Sequence, residues 1–241
     1  MPSVLVLGGA GALGRSVLSH FLSRGAPALC VDVAPCPLPG ARSVQLPASG
    51  WGAQLAHLEP RLAALGAPFG AVIVTAGGWE GGGAGTPSFP ASVTSMEEKN
   101  LHPALLAAAL CARGHLAPGG LLALTGSAAA LGAPCPGMLA YYLAKRATHD
   151  LVRALAAPGG GLPASAAAVA VAPAVIDTPA NQRDMGGPGV DRGAWTPPEH
   201  IAAQLWEWAA AAHGRPATGS VMEARTAAGV TSWVAYGGNV A

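Results

Sequence analysis

Residues 3–14 read SVLVLGGAGALG, and the reading of this stretch decides the fold. A short branched apolar run stops at two glycines, and the following ALGRSVLSHFLSRG (12–25) places apolar side chains at helical spacing and closes on Gly25. The order is strand, glycine turn, helix. Within the turn, Gly9, Gly11 and Gly14 form GxGxxG. Missing side chains let such a backbone approach a pyrophosphate closely, and the helix N-terminus offers free N–H groups and a positive dipole end. In a chain with 34 glycines the same pattern also arises as a simple tight turn, so its meaning rests on what surrounds it.

Outward from the turn the alternation of strand and helix recurs. APALCVDV (26–33) predicts a second strand, followed by a Pro/Gly-rich loop, and WGAQLAHLEPRLAALG (51–66) predicts a helix interrupted or bent at Pro60. GAVIVTAGG (70–78) predicts a buried strand entering another glycine loop. A helix near 95–113, a strand at GGLLALTG (119–126), a long loop and a helix containing MLAYYLAKRATH (138–149) come next. The strand AAAVAVAPAV (166–175), a loop to 196, a helix near 197–211 and a last strand GSVMEA (219–224) complete the reading. Buried strands alternating with helices, each connection long enough for a crossover, predict an α/β chain. The expected architecture is one doubly wound Rossmann-type domain over 1–241, with about seven parallel strands and helices on both faces. Ligands in such folds sit beyond the carboxyl ends of the strands, so the loops at 8–14, 32–34, 76–85, 126–138 and 174–195 are expected on one rim.

Composition narrows the partners. A formal charge of +1, with 10% charged residues and no basic cluster, excludes the electrostatic footprint of a nucleic-acid or anionic-membrane binder. Small molecules or another protein chain are the partners to expect. Cys30, Cys36, Cys111 and Cys135 lack metal-ligand spacing and read as reduced thiols of a cytoplasmic protein. The seven histidines show no metal geometry and read as surface or core-edge residues, so no metal is expected. The run ASAAAVAVAPAVI (164–176) is shorter than the roughly 20 residues of a membrane span.

Asp32 gives the glycine turn its meaning. It ends the second strand, 18 residues after Gly14, where a carboxylate can accept hydrogen bonds from both hydroxyls of an adenine ribose. No arginine or lysine follows at 33 or 34 to receive a 2′-phosphate, which a carboxylate repels. NADH is therefore favoured over NADPH as the cofactor, although Arg15 and Arg42 lie within reach of the region.

Chemistry gathers in MLAYYLAKRATH. Tyr141 and Lys145 are four apart and share a helix face, whereas Tyr142 points elsewhere. With 3 tyrosines and only Lys99 and Lys145 as lysines, this spacing arises by chance in about one chain in fifty. An ammonium beside a phenol favours the phenolate, so Lys145 is expected to lower the Tyr141 pKa and make it a better proton donor to a substrate that accepts hydride.

With the glycine turn, Asp32 and YxxxK in this order, the chain resembles the short-chain dehydrogenase/reductase family over essentially its whole length. The resemblance implies a cofactor cradle from Gly8, Gly9, Gly11, Ala12, Leu13 and Gly14 at the first turn, with Asp32 on the ribose. It adds Ala76, Gly77 and Gly78 after the fourth strand, Pro173 and Thr178 in PAVIDT, and Tyr141 and Lys145 on the nicotinamide ribose. Catalysis falls to Tyr141 and Lys145, joined by Ser127 in LLALTGSAAALGAP and Asn100 in MEEKNLHPALLAA. Ser127 lies 14 residues before Tyr141, one more than the family's spacing, and PCP (134–136) accounts for the offset as an insertion. Ala12 replaces the family's middle glycine, and Ala174 a later one.

A narrower resemblance, to pterin-reducing members, rests on AGGWEGG, PGMLAYYLAK, DTPANQRDM and WTPPE. It implies a flat pterin substrate stacked on Trp79 and protonated by Tyr141. An exposed indole after a glycine pair also fits stacking on physical grounds, whereas Trp195 reads as packing near the substrate loop. Family likeness further implies a homodimer through the alanine-rich faces at 104–112 and 147–156. Two other readings stand beside this one: a carbonyl or alcohol oxidoreductase using the same Ser/Tyr/Lys/Asn set, and an NAD(H)-sensing binding protein without turnover.

Overall fold

The sheet grows outward from Val4–Leu7 (β1), whose four residues are all buried. A computed structural model describes residues 1–237 apart from 37 and 67. On one side β1 pairs in parallel with Ala28–Asp32 (β2), which pairs with Arg42–Gln45 (β3). On the other side come Phe69–Val74 (β4), Leu116–Thr125 (β5), Ala167–Pro173 (β6) and Val221–Ala227 (β7), all parallel. Val230–Tyr236 (β8) closes the far edge antiparallel to β7. The order is β3-β2-β1-β4-β5-β6-β7-β8, so the direction of winding reverses between β1 and β4. A crevice opens there, beyond the strands' carboxyl ends.

Pleating divides each strand between two helical layers. Leu5, Leu7, Val72, Val74, Leu122 and Leu124 face Trp51–Leu65 (α2), His102–Leu110 (α4) and Leu139–Ala156 (α5). Val4, Val6, Ala71, Ile73, Leu121 and Ala123 face Ala12–Ser23 (α1) and Pro198–Ala210 (α7), where Phe21 meets Trp206 edge to face at 5.0 Å. Apolar burial on both faces explains why the central strands read as continuous apolar runs.

The sheet has eight strands rather than about seven, and the edges account for the difference. β3 lies within the stretch expected to be loop, and β8 follows the strand expected to be last. Pro60 also departs from expectation. It sits on the exposed side of α2, which runs unbroken from Trp51 to Leu65. The helix expected near 95–113 begins earlier, at Phe89–Met96 (α3), and passes through a π-helical turn at Glu97–Leu101 into α4. Within the loop after β6, Pro179–Met185 forms a short helix (α6) capped by Thr178. No helix among the described residues is long and apolar enough to cross a membrane.

Candidate active site

The first turn is shaped by backbone crowding. Gly8 has φ +88°, and a Cβ there would run into the Ala76 backbone; a Cβ on Gly14 would run into the Gly8 carbonyl. Helix α1 therefore starts tight against the turn, which only glycine permits at these two points. Gly11 faces out and borders the crevice on both sides.

Two cavities meet at this switch point, sharing Gly11, Thr75, Ala76 and Gly77. The outer one, about 470 Å³, is lined by Gly8, Ala10, Asp32, Val33 and Ala34, among others. Asp32 spans it: one carboxylate oxygen accepts from the Ala10 N–H and the other from the Ala34 N–H, both at 2.9 Å. Lys99 is the one cation bordering this cavity among the described residues, and it pairs with Glu80 at 3.0 Å. Arg15 donates to the Ala10 carbonyl at 2.8 Å, and neither it nor Arg42 lines the space.

The inner cavity, about 440 Å³, gathers residues from six separate segments. Ala12, Leu13, Gly78, Trp79, Asn100 and Ser127 line it, as do Tyr141, Lys145, Pro173 and Thr178. Gly9 and Gly14 lie outside both linings, beneath the turn, where Gly9 packs on Cys30. The residues singled out from sequence thus converge on one crevice.

Each polar group in the inner cavity is held by its neighbours. Asn100 is buried in the π-helical turn and clamps Gly78 from both ends: its Nδ2 donates to the Gly78 carbonyl at 3.1 Å, and its Oδ1 accepts from the Gly78 N–H at 3.2 Å. The extra residue of a π turn re-aims a side chain, and here it turns Asn100 inward. Lys145 donates from Nζ to the Thr125 carbonyl at 2.7 Å and lies 5.8 Å from the centre of the Tyr141 ring. Ser127 is buried at the end of β5, and its hydroxyl accepts from the Ala129 N–H at 3.3 Å. Trp79, by contrast, is 53% exposed, with its indole against Gly81.

Electrostatics corrects one expectation. Burial pushes the Tyr141 phenol above its ordinary pKa, and the opposing pull comes from the Ser127 hydroxyl rather than from Lys145. Burial also lowers Lys145 to about 7, so its ammonium is itself destabilised in this site and is only partly present at neutral pH. Trp195 packs at the base of the 174–196 loop, beneath Arg192. Asp177 positions that loop, accepting from Gln182 Nε2 at 2.8 Å and from Arg192 at 2.9 Å.

One residue escaped the sequence reading. His149 is fully buried, not a surface or core-edge side chain, and its Nε2 accepts from the Ser127 N–H at 3.2 Å. Its position four residues beyond Lys145, on the Tyr141 face, was the available signal.

No protein-family model matches the chain. It is 35% identical over 231 residues to the dihydropteridine reductase of Dictyostelium discoideum, a match covering 96% of this chain and 97% of that protein. Its fold matches a short-chain dehydrogenase/reductase from Serratia marcescens at TM-score 0.77 and 20% identity, over 92% of this chain and 95% of the other. BdcA, solved in complex with NADPH, matches at TM-score 0.73 and 23% identity, over 95% of each chain. Aldohexose dehydrogenase of Thermoplasma acidophilum matches at 0.73 and 16%, over 92% and 91%.

Fold and ancestry together define an NAD(P)H-dependent oxidoreductase, which sets aside the reading of a binding protein without turnover. Within that class, the chain belongs to the short-chain dehydrogenase/reductase family.

Proposed function

We propose that this protein reduces a quinonoid dihydropterin to the tetrahydropterin with NADH. One observation carries the reading: Trp79, Tyr141 and Lys145 line a single cavity, so a flat stacking surface and a proton donor face the same space. The Dictyostelium discoideum relative is named for that reaction class.

The cradle fits a dinucleotide. Glycines that admit no Cβ bring the first turn close to the crevice, and the α1 N-terminus meets it through Gly11. Asp32 favours a ribose with a free 2′-hydroxyl, and Lys99, the one bordering cation among the described residues, is already paired with Glu80. When bound, a reduced nicotinamide supplies hydride. Trp79 orients the pterin ring by stacking. Tyr141, a phenol that burial keeps in its protonated form, gives its proton to the pterin nitrogen that gains negative charge. The phenolate left behind accepts from the Ser127 hydroxyl, and Lys145 Nζ, 5.8 Å from the ring centre, adds to its stabilisation in the fraction that carries the ammonium. Asn100 holds Gly78, and so the approach to Trp79, in place. A homodimer belongs to the same reading, since α5 leaves Leu143 half exposed.

Ser127 supports a second reading. It lines the cavity beside Tyr141, where it can hold a substrate carbonyl oxygen, so a ketone is the competing substrate class. Consumption of NADH, measured with quinonoid dihydrobiopterin against a panel of ketones, separates the two. Saturable turnover of the pterin supports the proposal; turnover of ketones alone overturns it.

A further inference from the structure

His149 takes no part in the chemistry described above. It lies four residues past Lys145 and eight past Tyr141 on α5, so the three side chains share a helix face. A backbone N–H only donates, so the 3.2 Å bond from Ser127 requires a lone pair on Nε2 and places the ring proton on Nδ1. Among the described residues no protein group partners Nδ1. An apolar side chain of similar size would fill this space without burying an unpaired donor, so packing alone does not account for an imidazole here.

The neighbouring residues are fitted to the ring. Gly126 makes room for it, since a Cβ there would run into His149 Nε2. One residue before, the Thr125 carbonyl accepts from Lys145 Nζ at 2.7 Å; one residue after, the Ser127 N–H donates to His149. The 125–127 turn is therefore held from both sides by two residues of α5, one helical turn apart. No other side chain bonds the Ser127 N–H among the described residues.

We propose that His149 is a positioning residue: as a neutral imidazole it fixes the Gly126–Ser127 peptide, which presents the Ser127 hydroxyl to Tyr141 and the Thr125 carbonyl to Lys145. The role rests on the Tyr141, Lys145 and Ser127 assignment made above, and is independent of whether the substrate is a pterin.

Two variants of the full chain test it. His149→Gln keeps an acceptor near the Nε2 position, whereas His149→Leu fills the space without one. Each is assayed for kcat and for NADH affinity, and for the phenolate titration of Tyr141 in a Tyr142→Phe, Tyr236→Phe background that leaves one tyrosine. The expected result for Leu is a kcat lower by about tenfold, unchanged NADH affinity and a Tyr141 midpoint shifted to higher pH. Gln should restore most of the kcat and the midpoint. Leu behaving as the parent protein, or Gln failing as fully as Leu, overturns the proposal. If Leu does not fold, His149→Asn replaces it, because its shorter amide reaches the Nδ1 position but not Nε2; parent-like behaviour of Asn then overturns the proposal. The titration needs no substrate, so a protein inactive on pterins would defeat the pterin reading and leave the test of His149 intact.

Discussion

In the proposed reading, Tyr141 and Asp32 carry the two chemical decisions, proton delivery and cofactor choice. Tyr141→Phe removes the proton while keeping the ring, so turnover should fall by about 100-fold or more, with NADH affinity unchanged by fluorescence titration. Asp32→Asn removes the charge but keeps one carbonyl acceptor for the Ala10 or Ala34 N–H. The ratio of kcat/KM for NADPH over NADH should rise by about tenfold or more, because the repulsion of a 2′-phosphate is gone. An unchanged ratio would remove Asp32 from cofactor selection. At this scale most of the residues that line the candidate site were legible, because the informative residues were scarce types: two lysines, three tyrosines and an aspartate at a strand end. His149 was not, because one histidine among seven carries no signal until the Tyr141 and Lys145 face is extended by a further turn.

Among the elements, the strand–turn–helix unit at the N-terminus does the most. Gly14→Ala would press a Cβ into the Gly8 carbonyl, so α1 must shift away from the turn. The variant should lose about 1–3 kcal/mol of stability by denaturant melt and bind NADH more weakly. Native stability with full affinity would mean that the close approach is unnecessary. The elements that escaped the sequence share a physical cause. β3 and β8 are edge strands with mostly exposed side chains, so neither offers the apolar run by which β1, β4 and β6 announce themselves. The β3 tetrad RSVQ is also short and set among prolines and glycines. Pro60 failed as a breaker because it lies on the exposed face of α2, where the three buried leucines, Leu55, Leu58 and Leu62, hold the helix across it.

For the molecule as a whole, acid should act through the active-site layer between the sheet and α5. Burial, then Arg153, Lys145 and Arg146, hold His149 down at about 4, with Asp150 opposing them. The unfolded chain therefore binds this proton more readily than the native protein, and the difference is fully favourable to folding above pH 6.5. It is lost as pH falls from 6.5 towards 4, a window worth roughly 3 kcal/mol for this group. Urea midpoints measured across that window should fall for the parent protein, and His149→Gln should flatten the slope; an equal slope in both would assign acid sensitivity elsewhere. The overall claim is that the crevice between β1 and β4 joins a dinucleotide cradle to a pterin stacked on Trp79. It is tested most directly by the stoichiometry of the reaction between NADH and quinonoid dihydrobiopterin, with NADH oxidation followed by absorbance and the pterin product separated and identified by mass spectrometry. One tetrahydropterin formed for each NADH consumed, and only with the protein present, is the predicted result; NADH that remains unconsumed with the pterin while a ketone oxidises it would contradict the claim.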